Sequence, residues 1–221
     1  MLRFLRPCQA PGALALLVAT TAAPVQAATE ETQAWITESV AIAATPSDMI
    51  TLDLSQRFRR DSSNGEQQTA RILLDHRIAK GLQVGGGIAF FHSGPEQELR
   101  LFQQVTATRG IFNARTRMEQ RFFDTTDEAS WRLRQRVQAA IPLGSANSPA
   151  LITAAEFFFH LNRARPGDRT GLAVMRQQVG LRQPLGKSLD AQLLYMRQQT
   201  FREGRPDAVV HVPWLTLNWK I

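Results

Sequence analysis

Beyond residue 30, apolar residues do not recur at helical spacing. They alternate with polar ones in blocks of about ten residues, bounded by turn residues. In 112–122, Asn113, Arg115, Arg117, Glu119 and Arg121 share one parity, and Phe112, Ala114, Thr116, Met118, Gln120 and Phe122 the other. In the next block Arg132, Arg134, Arg136 and Gln138 oppose Trp131, Leu133, Val137 and Ile141. Arginines spaced by two scatter around a helix but line one side of a strand. The same parity sets Asp53, Arg57 and Arg59 against Leu52, Leu54 and Phe58, and Arg71, Asp75 and Arg77 against Ile72, Leu74 and Ile78. It sets Glu98 and Arg100 against Leu99 and Leu101, and Glu156 and His160 against Phe157, Phe159 and Leu161. It continues with Arg176 and Arg182 against Met175, Val179 and Leu181, and with Asp190 against Leu189, Leu193 and Tyr195. Gly85, Gly86 and Gly87 mark a bend or a close approach. With 34–43 first and about 208–221 last, the pattern predicts about eleven strands.

Two all-β architectures fit. A soluble barrel or sandwich buries its apolar face; a transmembrane barrel turns it outward and keeps a polar lumen. Strands of about 9–11 residues suit a tilted membrane crossing. Glutamines at Gln120, Gln135 and Gln177 interrupt the apolar face, which a dry core tolerates poorly without partners. The connections alternate between short (44–48, 79–82, 108–111, 142–149, 184–188) and long and charged (60–68, 92–98, 123–130, 162–171, 202–208). The expectation is an antiparallel up-and-down transmembrane β-barrel of about 10–12 strands, short turns facing the periplasm. Its parity conflicts: even-stranded closure needs ten or twelve strands, and a first strand at 34–43 would start on the outer side. Either 34–43 runs partly inside or along the barrel, or a strand is merged or missed in the pattern.

The start of the chain supplies an address. Arg3 and Arg6 precede the apolar run from Gly12 to Ala19, followed by Val25-Gln26-Ala27. This predicts a signal peptide over 1–27, leaving one domain over 28–221. Cleavage there removes Cys8, which also stands before the apolar run and so not at a lipoprotein cleavage position. Of 26 Lys+Arg only Lys80, Lys187 and Lys220 are lysines, and the formal charge of +7 falls to +5 without Arg3 and Arg6.

That arginine bias suggests nucleic acid, but export and the placement of the arginines at alternate strand positions argue against it. Thirteen arginines are assigned inward (57, 59, 71, 77, 100, 115, 117, 121, 132, 134, 136, 176, 182) against six carboxylates (53, 75, 98, 119, 156, 190). Arginine stays ionised in a confined space and grips carboxylates with a planar fork. The candidate network is Glu98, Arg100, Arg115, Arg117, Glu119, Arg121, Arg132, Arg134, Arg136, Glu156 and Arg176. It either fills the lumen as an ion-pair lattice or lines an anion-selective passage or a pocket for an acidic solute. An outer-membrane lipid-modifying enzyme is the less favoured alternative. Glu156 and His160 share a face, but no serine is evidently placed beside them. No metal-ligand spacing or phosphate-loop context is apparent, so neither metal nor cofactor is expected. The loop arginines Arg163, Arg165, Arg169, Arg202 and Arg205 read as a solvated rim.

An ordered set of motifs adds a resemblance. It comprises Trp35, Glu98-x-Arg100 with Gln103-Gln104, Arg115-x-Arg117-x-Glu119-x-Arg121, Arg132-x-Arg134-x-Arg136 and Glu156-Phe157-Phe158. Arg176 with Gly180-Leu181, Tyr195-Met196-x-Gln198 and His211 complete it. The chain resembles a family of bacterial outer-membrane β-barrels catalogued as a domain of unknown function. Met175 and the final Ile221 depart from the family's usual Asn and Phe. The resemblance implies a membrane barrel and no reaction. The resulting expectation is a monomeric barrel of the bacterial outer membrane, structural or envelope-associated, whose partners are membrane lipid, lipopolysaccharide and the barrel-assembly machinery.

Overall fold

The alternating blocks become strands along nearly their whole length in the computed structural model, which describes residues 28–59, 65–145, 147–165 and 167–221. The expected signal peptide lies outside the described residues. The strands are β1 (Thr29–Thr32), β2 (Ala34–Ala43), β3 (Asp48–Phe58), β4 (Gln67–Ala79), β5 (Leu82–Ser93) and β6 (Glu96–Arg109), followed by β7 (Phe112–Phe123), β8 (Thr126–Pro142), β9 (Ala150–His160), β10 (Gly171–Pro184), β11 (Leu189–Thr200) and β12 (Ala208–Lys220). From β2 to β12 each strand pairs antiparallel with the next, and β12 pairs back onto β2. An all-β barrel of eleven strands is thereby closed, and β2 to β12 each have a neighbour on both sides.

The closing seam is parallel, and it removes the parity conflict. Trp214 to Lys220 of β12 stand opposite Trp35 to Ala41 of β2. Thr29 to Thr32 of β1 continue in the same register, opposite Ala208 to His211. Gln33 donates its backbone N–H to His211 across the gap at 2.9 Å. β1 and β2 are thus one run beside β12, interrupted at Gln33. An odd number of strands must close with one parallel pair, so the even count required by fully antiparallel closure does not apply. Residue 29 and residue 221 consequently lie at opposite ends of the barrel.

The length contrast between the two ends is weaker than expected. The connections at 92–98 and 123–130 are not long loops. Only residues 94–95 separate β5 from β6, and only 124–125 separate β7 from β8. The longer connections at that end are 59–66, 161–170 and 201–207. At the opposite end 143–149 is the longest.

The two faces divide as the alternation requires. Leu54 and Leu193 on the outside are each 61% exposed, and Leu52, Ile72, Leu74, Ile88, Leu101, Val105, Val179 and Leu181 are exposed with them. Gln120, Gln135 and Gln177 share this outer face, where Thr116 donates to the Gln135 side chain at 2.6 Å. Inside, charged side chains are buried with aromatic ones. Apolar patches fill the remaining interior: Ala150, Ile152 and Leu194, and Trp35, Met196, Val210 and Val212. The glycine run lets strands approach closely: Gly87 faces inward beneath the Phe102 ring.

Candidate functional site

The site is the lumen, and strand register builds it. Register sets Arg100 opposite Arg121, and Arg117 opposite Arg134 and Arg115 opposite Arg136. Like charges directly opposite are destabilising; register offsets them with the directly opposed pairs Glu119–Arg132 and Glu156–Arg176, and further contacts run diagonally, along one strand or across a further strand. Each of three carboxylates gathers several guanidiniums. Glu98 accepts from Arg100 at 2.7 and 2.8 Å and from Arg121 at 2.6 and 3.2 Å. Glu119 accepts from Arg132 at 2.8 and 2.5 Å and from Arg134 at 2.6 Å, with Arg117 at 3.8 Å. Glu156 accepts from Arg115 at 2.9 Å and from Arg134 at 2.7 Å, with Arg176 at 3.9 Å. Arg134 therefore bridges Glu119 and Glu156. The expected residues fall into two sets, Glu98 with Arg100 and Arg121, and Glu119 and Glu156 with Arg115, Arg117, Arg132, Arg134 and Arg176. Arg136 joins neither and bonds the amide oxygens of Gln138 and Gln178 at 2.6 and 3.3 Å.

Sharing explains how few carboxylates serve many arginines. Of the thirteen arginines expected inward, Arg71, Arg100, Arg115, Arg117, Arg121, Arg132, Arg134 and Arg176 lie within 4.0 Å of a carboxylate. Among the described residues the other five do not; one of them, Arg77, is exposed rather than inward and donates to the Pro46 carbonyl oxygen instead. Aromatic faces and amides stabilise the excess charge. Arg100 lies 3.7 Å from the Phe91 ring centre, Arg117 4.1 Å from Phe102, and Arg134 4.5 Å from Phe158. Arg57 bonds Gln67 at 2.7 Å and stacks 4.0 Å from Trp35. Arg117 donates twice to Gln104, at 3.0 and 2.5 Å. These contacts of Trp35, Phe91, Phe102, Phe158 and Gln104 were not foreseen. The alternation places their side chains on the inner face but says nothing of what each one meets.

The centre of the network is shielded from solvent: Glu119 is 0% and Arg117 2% exposed. Against the network lies a cavity of about 300 Å³, lined by the network's own Glu98, Arg117, Glu119 and Arg134 and by Arg57 and Arg71 among others. The Glu156–His160 pair does not form. Glu156 is occupied by arginines, and neither ring nitrogen of His160 has a hydrogen-bond partner among the described residues. Nor are the loop arginines a simple solvated rim. Arg165 reaches 69 residues back to Glu96, at 2.8 Å, and lies 4.1 Å from the Phe123 ring centre. Among the described residues no three His, Cys, Asp or Glu side chains cluster as metal ligands.

An apolar outer surface around an interior of shared ion pairs defines the protein as a closed, odd-stranded β-barrel with an ionic core. The chain belongs to the family described as "Protein of unknown function (DUF2490)", whose profile matches residues 32–209. It is similar to an uncharacterized protein of Methylorubrum extorquens, 26% identical over 172 residues that cover 70% of this chain and 74% of that one. No solved structure matches it.

Proposed function

We propose that the chain is a non-conducting barrel of the bacterial outer membrane, envelope-associated and monomeric, inserted by the barrel-assembly machinery and surrounded by lipid and lipopolysaccharide. The observation that carries this reading is the exposed apolar belt, far larger than the patches soluble monomers show. Its height fits. Phe112 and Phe122 bound the outer face of β7; ten strand residues tilted by about 40° rise about 25 Å, the height of a membrane barrel's apolar band. Among the described residues no helix is long and apolar enough to cross a membrane, so a crossing would be made by strands. The buried network supports a sealed lumen. In planar bilayers the purified chain is expected to give no stepwise conductance. Anion-selective steps would replace this reading with a channel, and a chain that stays soluble without detergent would end it. A second reading, binding of an acidic solute, is favoured by the cationic cavity that the network itself lines.

The belt makes its own prediction at Glu38. This side chain faces outward near the middle of β2, opposite Leu54 and Leu217. A carboxylate among lipid tails costs stability, so Glu38→Leu is expected to stabilise the barrel in detergent micelles by about 1–2 kcal/mol. A water-covered face would leave the unfolding midpoint nearly unchanged.

A further inference from the structure

A second pocket, of about 320 Å³, opens between the connection 161–170 and the connection 201–207. Its lining carries six arginines and a single carboxylate, that of Asp168. Three of the arginines are committed elsewhere: Arg121 to Glu98, Arg132 to Glu119, and Arg165 to Glu96. The other three, Arg169, Arg202 and Arg205, have no carboxylate within 4.0 Å among the described residues. Two buried side chains are left without partners there: His160, whose neutral ring donates through one nitrogen only, and Arg169 at its Nε. Buried polar groups are almost always satisfied, and an unpartnered His160 N–H together with the unpartnered Arg169 Nε–H at one pocket points to a missing acceptor. The acceptor must be anionic, because it answers an excess of guanidiniums.

We propose that this pocket binds a phosphate monoester, its phosphoryl oxygens held by Arg169, Arg202 and Arg205 with His160 as a further donor. A phosphate offers three strong acceptor oxygens and nearly two negative charges, whereas a carboxylate offers two oxygens and one charge. The volume is at the lower end of the small-molecule range of about 300–1,000 Å³, room for a phosphate bearing a sugar-sized group. Phe201, whose ring centre is 5.9 Å from Arg169, adds an apolar wall for that group. The inference deepens the acidic-solute reading and rests on it, but it does not need the membrane reading. The phosphate can come from a lipid headgroup or from a free sugar phosphate.

Calorimetric titration of the full chain in detergent micelles tests it with glucose 1-phosphate, citrate, and micelles doped with phosphatidic acid. Saturable binding of glucose 1-phosphate or of phosphatidic acid, tighter than that of citrate, is expected; which of the two binds identifies the source. Arg169→Ala/Arg202→Ala is expected to weaken it at least about tenfold, the loss of one charge-assisted hydrogen bond or more. Both side chains are on connections, and an unchanged unfolding midpoint shows that the barrel remains intact. Arg169→Lys/Arg202→Lys, which keeps the charge and loses the fork, should fall between. Citrate bound as tightly as the phosphates overturns the phosphate assignment and leaves the acidic-solute reading standing. No saturable binding of any of the three overturns both. Phosphate binding untouched by the double alanine change overturns the location.

Discussion

Replacing Glu119 with alanine is expected to destabilise the barrel by about 3–5 kcal/mol, the cost of leaving buried cations without their counter-charge. Glu119 is wholly buried and lies within 4.0 Å of Arg117, Arg132 and Arg134. Arg134 retains Glu156 after the change, and Arg117 retains Gln104 and the Phe102 face. Arg132 has no other carboxylate within 4.0 Å among the described residues, so it carries most of the penalty. Glu119→Gln keeps an acceptor but loses the charge, and should cost somewhat less. Adding Arg132→Gln to Glu119→Gln removes the stranded cation together with its lost partner. The double variant is therefore expected to recover part of the loss, with a coupling of about 1–3 kcal/mol in a double-mutant cycle. Denaturant unfolding in micelles measures each step. Strict additivity would mean that the two side chains act independently despite their contact. The exposed pair Arg163–Glu203, with side chains 58% and 52% accessible, is the control: Arg163→Ala should move stability by no more than about 1 kcal/mol.

The members of this network are legible in the sequence; its wiring is not. Parity within one strand decides that Arg115, Arg117, Glu119 and Arg121 share a face, because side chains alternate along any strand. Which guanidinium meets which carboxylate depends on register between strands, which alternation does not carry. Arg115 and Glu156 are 41 residues apart, and Arg165 and Glu96 are 69. The parallel seam was hidden for a related reason. An alternating pattern reads the same in both directions, so residues 34–43 could be recognised as a strand but not as one running beside β12. The connections at 92–98 and 123–130 misled because polar residues at strand ends resemble loop residues. Glu96, Gln97, Asp127 and Glu128 are all strand residues, paired or flanking tight turns, where the strands run past the apolar belt into polar surroundings. The pocket around His160 left no trace in the sequence, since it requires two connections to converge over the end of β9.

Replacing Gly87 with valine is expected to cost roughly 3 kcal/mol, at the upper end of overpacking penalties. Gly87 faces the lumen opposite Leu73 on one side and Phe102 on the other. A Cβ there would run into the carbonyl oxygen of Ile72, lie 3.0 Å from the Leu73 Cα and come within 2.7 Å of the Phe102 ring. The first two obstacles are backbone and cannot rotate away. The third is a ring only 2% exposed, with the Arg117 guanidinium 4.1 Å above its centre. Pushing Phe102 therefore pushes Arg117, and through it the Gln104 and Glu119 contacts at the seal. Gly110 separates this effect from loss of glycine alone. It has φ of +59° and nothing within 4 Å of an added Cβ, so Gly110→Ala should cost only backbone strain, about 1 kcal/mol. Unfolding midpoints in micelles compare the two variants. Near-ultraviolet circular dichroism should change for Gly87→Val and not for Gly110→Ala, because only the first disturbs a packed aromatic ring. Equal midpoints and an unchanged spectrum would mean that the floor beneath Arg117 can yield, and that the seal is not held by packing from below.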